Sequence, residues 1–295
     1  MFLTRLVYYK EIKKTRNLYL QKEHKTINQR MEVIGYIAAA FIGILLSLIG
    51  GGGSILTVPV MVYLFSVHPP LATSYSLFVV GTASTAGAYT YHRKKLTSIK
   101  TALFFGASSM ITVFITRKFI IPAIPEKLGE INGYSITQSF LTMVLFAVLM
   151  LFVSSSMIFN DTRKKEHTST PGLNIYKLTL YGIAVGFITG LLGVGGGFIL
   201  VPALILLAGL PMKQAVGTSL FIIAFNSFTG FAGDIGHFIV DWFFLLKITA
   251  IAVAGIYIGS MFSKKIQEEK LKKIFGWFVM VMGTCILIDE IFFKL

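Results

Sequence analysis

Residues 190–230, GLLGVGGGFILVPALILLAGLPMKQAVGTSLFIIAFNSFTG, decide the architecture of this chain, and the run Gly193-Val194-Gly195-Gly196-Gly197 decides most of it. Apolar stretches flank the run on both sides. Glycine is the residue least suited to a helix interior after proline, so such a cluster marks a break in a hydrophobic helix. A break strands backbone N–H and C=O groups. In lipid these persist only where protein buries them or a hydrated cavity lies beside them. An earlier run, Gly50-Gly51-Gly52-Gly53-Ser54, has the same apolar setting.

Composition fixes the class. Of 295 residues 55% are hydrophobic and 14% charged, and the mean hydropathy is +0.75, too apolar for a soluble domain to conceal. The chain therefore reads as a polytopic membrane protein. Its net charge of +14 gathers in short segments between apolar stretches and in the N-terminal tail, as the positive-inside bias requires, so a nucleic-acid surface is the weaker reading. Cys285 is the sole cysteine, which excludes an intramolecular disulfide, and is expected to be a small buried packing residue.

The tail, residues 1–32, interleaves Lys and Arg with Leu3, Leu6, Val7, Leu18 and Leu20. It fits either a basic amphipathic helix on an anionic leaflet or a disordered extension. Residues 33–159 form a first transmembrane repeat, 160–175 a polar cytoplasmic linker and 176–295 a second repeat. About eight to ten helical segments are expected. The halves of each glycine-broken segment are short, and length leaves open two thin spans, one broken span or a re-entrant hairpin.

The halves align without a gap at an offset of 143 positions, with 14 of the 45 residues from Gly43 to Gly87 identical. Matches include Gly50 with Gly193, Gly52 with Gly195, Gly53 with Gly196, Pro59 with Pro202 and Ser76 with Ser219. This is an internal duplication. Equivalent loops differ in charge: His92-Arg93-Lys94-Lys95 is basic, whereas its counterpart carries Asp234 and Asp241 without Lys or Arg. The next pair reverses this, a mixed loop with Arg117, Lys118 and Lys127 against Glu126 and Glu130, opposite one rich in lysine from Lys264 to Lys273. Opposed bias predicts inverted repeats, although the same count places the basic tail outside.

The stretch 190–230 and its weaker copy, residues 47–87, SLIGGGGSILTVPVMVYLFSVHPPLATSYSLFVVGTASTAG, resemble the TauE/SafE or sulfite exporter family of membrane transporters. The first copy departs from the second where Ser54 replaces the last glycine and Tyr75 stands opposite Thr218. The resemblance implies a secondary transporter in the cell membrane, such as a bacterial inner membrane, exporting small anions such as sulfite, sulfoacetate or related sulfur and carboxylate compounds.

Physical chemistry supports an anion independently. A helix resuming after a glycine run presents N–H groups without intrahelical partners and the positive end of its dipole. Two such starts meeting near the midplane would hold an oxyanion without a buried Arg or Lys. The expected substrate contacts are Gly52, Gly53, Ser54, Gly195, Gly196 and Gly197, with Ser74, Ser76, Ser84, Thr218, Ser219, Asn226 and Ser227 as candidates for the remaining ones. Close helix packing is the competing reading for each small polar residue. Asp234 and His237 are read either as membrane-surface loop residues or as a proton-coupling pair. The five histidines lack metal-ligand spacing and no catalytic or nucleotide motif appears, so neither enzyme activity nor a cofactor is expected. A non-transporting membrane scaffold is the alternative.

Overall fold

The computed structural model describes residues 32–49, 51–131, 134–159, 175–262 and 268–293. The basic tail and the linker between halves lie outside these residues. Among the described residues ten helical segments follow one another. In the first half α1 is Glu32–Ile49. The segment α2 joins a 3-10 turn at Gly51–Leu56, an α turn at Thr57–Pro59 and a π turn at Val60–Leu64. Helix α3 spans Pro69–Arg93, and α4 runs from Ile99–Ile115 through a π turn at Thr116–Ile120 to Ile121–Ala123. Helix α5 is Gln138–Phe159.

The second half repeats the order as α6 Ile175–Leu192, α7 Gly197–Ala208, α8 Met212–Asp234, α9 Trp242–Phe262 and α10 Glu268–Ile288. Helices begin at Glu32 and Ile175, at Pro69 and Met212, and at Ile99 and Trp242, each pair 143 positions apart. The sequence offset is thus also the offset between these helix starts. Between α4 and α5 stands an antiparallel hairpin, β1 Lys127–Ile131 and β2 Tyr134–Thr137, in a stretch that the sequence reads only as a wet loop.

The chain reverses at each glycine run. Gly53 packs against the backbone of Ile42, Leu45 and Leu46, and Gly35 against the Phe65 ring, so α1 and α2 lie antiparallel. Of the three arrangements that length left open, this excludes one broken span. Helices α3 and α8 form the central pair, also antiparallel: Gly87 meets Leu220 while Gly230 meets Leu77. Those contacts are one contact with the halves exchanged, since the offset places Leu77 on Leu220 and Gly87 on Gly230.

Around this pair α4 packs on α6 and α8, and α9 on α1 and α3. Small residues allow the close approach. Along α6, Gly182, Gly186 and Gly190 meet Ser108, Ser109 and Thr116 of α4 in succession, which sets the two helices parallel. On the opposite flank Gly255 and Gly259 of α9 meet Ala40 and Ile44 of α1, again parallel. Helices α5 and α10 pair with each other.

Among the described residues five helices are long and apolar enough to cross a membrane. Phe152, Phe159, Phe243 and Met261 are each three-quarters exposed or more, a surface that lipid accommodates and water does not. Cys285 is exposed on α10 rather than buried, so the expectation of a packing role fails: the residue sits on an outward face of a helix whose opposite face meets α5. Trp242 and Trp277 are about half exposed, and Trp242 meets Phe78 and Phe231 edge-on.

Candidate functional site

The site is built on the turn between α6 and α7. Gly193, Gly195 and Gly196 have φ of +67°, +68° and +69°, the left-handed region that residues with a Cβ enter at a cost of roughly 1–2 kcal/mol. The Gly193 N–H donates to the Thr189 carbonyl at 2.9 Å, ending α6, and the Ile199 and Leu200 N–H groups both donate to the Gly196 carbonyl at 3.1 Å, opening α7. Gly196 occupies the N-cap position and has no side chain with which to cap it. The first N–H groups of α7 therefore point into the turn without intrahelical acceptors.

This turn reaches the centre of the protein. A Cβ on Gly195 would meet Ile223 at 2.9 Å, the Ser227 hydroxyl at 2.9 Å and Val80 at 3.0 Å, residues from the middle of α8 and of α3. Gly197 touches Gly51 backbone to backbone, so the two glycine runs do meet. They are not equivalent in form. Gly51–Leu56 is a 3-10 turn closed by Ser54, whose hydroxyl donates to the Gly51 carbonyl at 2.6 Å. The departure at Ser54 thus replaces an open turn by a tightly wound one. Gly52 lies in this turn, and Gly53 is turned toward α1.

A charged pair stands beside the second turn, against the expectation of an anion site without a buried Arg or Lys. Arg117, placed by the sequence in a polar loop, lies in the π turn that continues α4, and its side chain is 1% exposed. Its Nη1 donates to Asp234 Oδ2 at 3.1 Å and to the Thr73 hydroxyl at 3.0 Å. Asp234, the last residue of α8, is 3% exposed and also hydrogen-bonded by Ser74, so the surface-loop reading of it is overturned. The cause is local: Gly233 lets the Arg117 stem pack onto the end of α8. Arg117 Nη2 rests against Gly193, while Nη2 and Nε have no hydrogen-bond partner among the described residues.

Other expected residues divide. Ser76 is buried on α3 and its hydroxyl has no partner among the described residues. Asn226 donates from Nδ2 to the Ser109 hydroxyl of α4 at 2.6 Å, while its Oδ1 lacks a partner among the described residues. Ser219 donates to the Val216 carbonyl at 2.8 Å. Thr218 lies away from the turn, accepting the Ser98 N–H at 2.9 Å near the other end of the central pair. His237 is exposed and its N–H donates to the Asp234 carbonyl at 3.0 Å. Ser227, an expected contact, lies against Gly195, and Thr189, which the sequence did not single out, lies against Gly196; both are buried, with hydroxyls lacking partners among the described residues.

Apolar spans surrounding a central pair, a glycine turn reaching its middle, and buried polar groups held at that turn define a multi-pass membrane transporter. The chain belongs to the family described as Sulfite exporter TauE/SafE, whose profile matches residues 36–286. It is 29% identical over 283 residues to the Probable membrane transporter protein YunE of Bacillus subtilis (strain 168), covering 88% of this chain and 97% of that one. A Probable membrane transporter protein of Xylella fastidiosa (strain Temecula1 / ATCC 700964) is 26% identical over 89% of this chain and 96% of its own. The Probable membrane transporter protein MJ0441 of Methanocaldococcus jannaschii is 26% identical over 87% of this chain and 94% of its own. No solved structure matches.

Proposed function

We propose that the protein is a secondary transporter that exports small oxyanions, sulfite, sulfoacetate or related sulfonates and carboxylates, across the cell membrane. The observation that carries this reading is the contact of the two glycine runs at the middle of the antiparallel α3/α8 pair. The N–H groups of the first two residues of α7, which as helix-start groups have no intrahelical acceptor, and the hydroxyls of Thr189 and Ser227 supply hydrogen bonds there. Gly52, Gly53, Ser54, Gly195, Gly196 and Gly197 provide the backbone of the site, with Ser76, Ser219 and Asn226 adjoining it along α3 and α8. The halves act as inverted repeats, and relative motion of one against the other exposes the site alternately to each side. The family description supports sulfur oxyanions as cargo.

Proteoliposomes containing the purified chain and loaded with labelled sulfite or sulfoacetate test the reading. Saturable efflux above protein-free vesicles is expected. Absence of flux for sulfite, sulfoacetate, thiosulfate and acetate alike would favour the scaffold alternative.

A further inference from the structure

Arg117 is buried to 1% exposure, yet hydrogen-bonds through only one of its three nitrogens among the described residues. A guanidinium carries five N–H donors in a fixed plane, and Nε with Nη2 makes up one edge whose two N–H groups point the same way. Leaving charged donors buried and unmatched costs more than leaving neutral ones so, and a folded protein keeps such an edge open where something else fills it. Nη2 faces Gly193, where any Cβ would block it. The same turn leads into α7, whose N-terminal partial positive charge adds to that of the guanidinium.

We propose that Arg117 receives the transported anion, binding two of its oxygens on the Nε–Nη2 edge while Asp234 remains the resident counter-charge on Nη1. This rests on the anion-transport reading and names the residue that recognises the cargo. Paired donors select an anion with two oxygens on one centre, a carboxylate, sulfite or sulfonate, over a halide that offers a single centre. Thr189 and Ser227, against the following glycines, donate to a further oxygen, which a sulfur oxyanion has and a carboxylate lacks. Because the ion pair is neutral, an arriving anion meets no net repulsion. The position equivalent to Arg117 in the second half is Ser260, so the duplication does not double this receptor: one anion binds per chain.

The test uses the full chain in nanodiscs and proteoliposomes, with sulfite as probe and chloride as control. Wild-type protein is expected to bind one sulfite per chain, unaffected by equimolar chloride. Arg117→Lys keeps the charge but not the fork and is expected to weaken sulfite binding about tenfold or more. Arg117→Gln combined with Asp234→Asn removes both buried charges; it is expected to remain folded by size exclusion and to lose sulfite binding and flux. Wild-type affinity and flux in that folded double variant would overturn the Arg117 assignment while leaving the transport reading intact. Wild-type protein that neither binds nor moves sulfite or any sulfonate would overturn both. A structure with bromomethanesulfonate bound to wild-type protein locates the site without any substitution, and density remote from the Nε–Nη2 edge would also overturn the assignment.

Discussion

Gly51 and Gly197 pack backbone against backbone, so that a Cβ on either would strike the other's main chain and the Ile223 side chain. Neither backbone has a flexible side chain through which to yield. Gly197→Ala is therefore expected to destabilise by about 1–3 kcal/mol through overpacking and to abolish sulfite flux by separating the two turns. Thermal unfolding in detergent and vesicle flux measure the two effects. Wild-type values for both would show that the turns do not need this contact.

The Arg117–Asp234 pair makes a separable prediction about stability. Removing one partner of a buried ion pair strands the other, at about 3–5 kcal/mol, whereas removing both charges is often close to neutral. Arg117→Gln and Asp234→Asn alone should each lower the unfolding midpoint substantially, and the double variant should recover most of the loss. A double variant as unstable as the sum of the single ones would mean that the charges are not coupled in the folded protein.

Much of the fold was legible because it follows from repeated patterns. The 143-residue offset already aligned Gly50 with Gly193 and Pro59 with Pro202, and the helix starts keep that offset. The glycine turn was legible because its residue type is almost irreplaceable at positive φ. Arg117 was missed because it stands beside Lys118 near the end of an apolar stretch, where a cation reads as a membrane flank. Its position has no charged counterpart in the other half, so the duplication gave no hint. Asp234 was misread for the same reason: only the folded contact of α4 with α8 shows that the two charges neutralise each other. The usable signal was the occurrence of an Arg and an Asp within the spans that α4 and α8 form. The hairpin at residues 127–137 had no comparable signal, since its strands are short and their pattern weak.

Asn226 distinguishes packing from ligand contact. Its bond to Ser109 ties α8 to α4, and such interhelical bonds average about 0.6 kcal/mol in membranes. Ser109→Ala and Asn226→Ala should consequently cost similar, small amounts of stability. If the unmatched Oδ1 orients water or cargo, Asn226→Ala should reduce sulfite flux well beyond Ser109→Ala. Equal flux in the two variants would assign Asn226 to packing alone.

The arrangement of α3 and α8 predicts which loops share a compartment. Because the pair is antiparallel, the end of α3 lies with the start of α8, as the Ser98 to Thr218 bond records, and the end of α8 lies with the start of α3, as Arg117 records by joining Thr73 to Asp234. Lys95 and Leu210 should thus face one side of the membrane, and His68 and His237 the other. By the positive-inside bias, Lys94 and Lys95 should place the first side in the cytoplasm. In a Cys285→Ala background, expected to be neutral because Cys285 is exposed, single cysteines at these four positions can be labelled in intact cells with an impermeant maleimide. Labelling is expected at 68 and 237 and protection at 95 and 210. Equal labelling at 95 and 237 would be incompatible with antiparallel equivalent helices spanning the bilayer, and the inverted arrangement would fall with it.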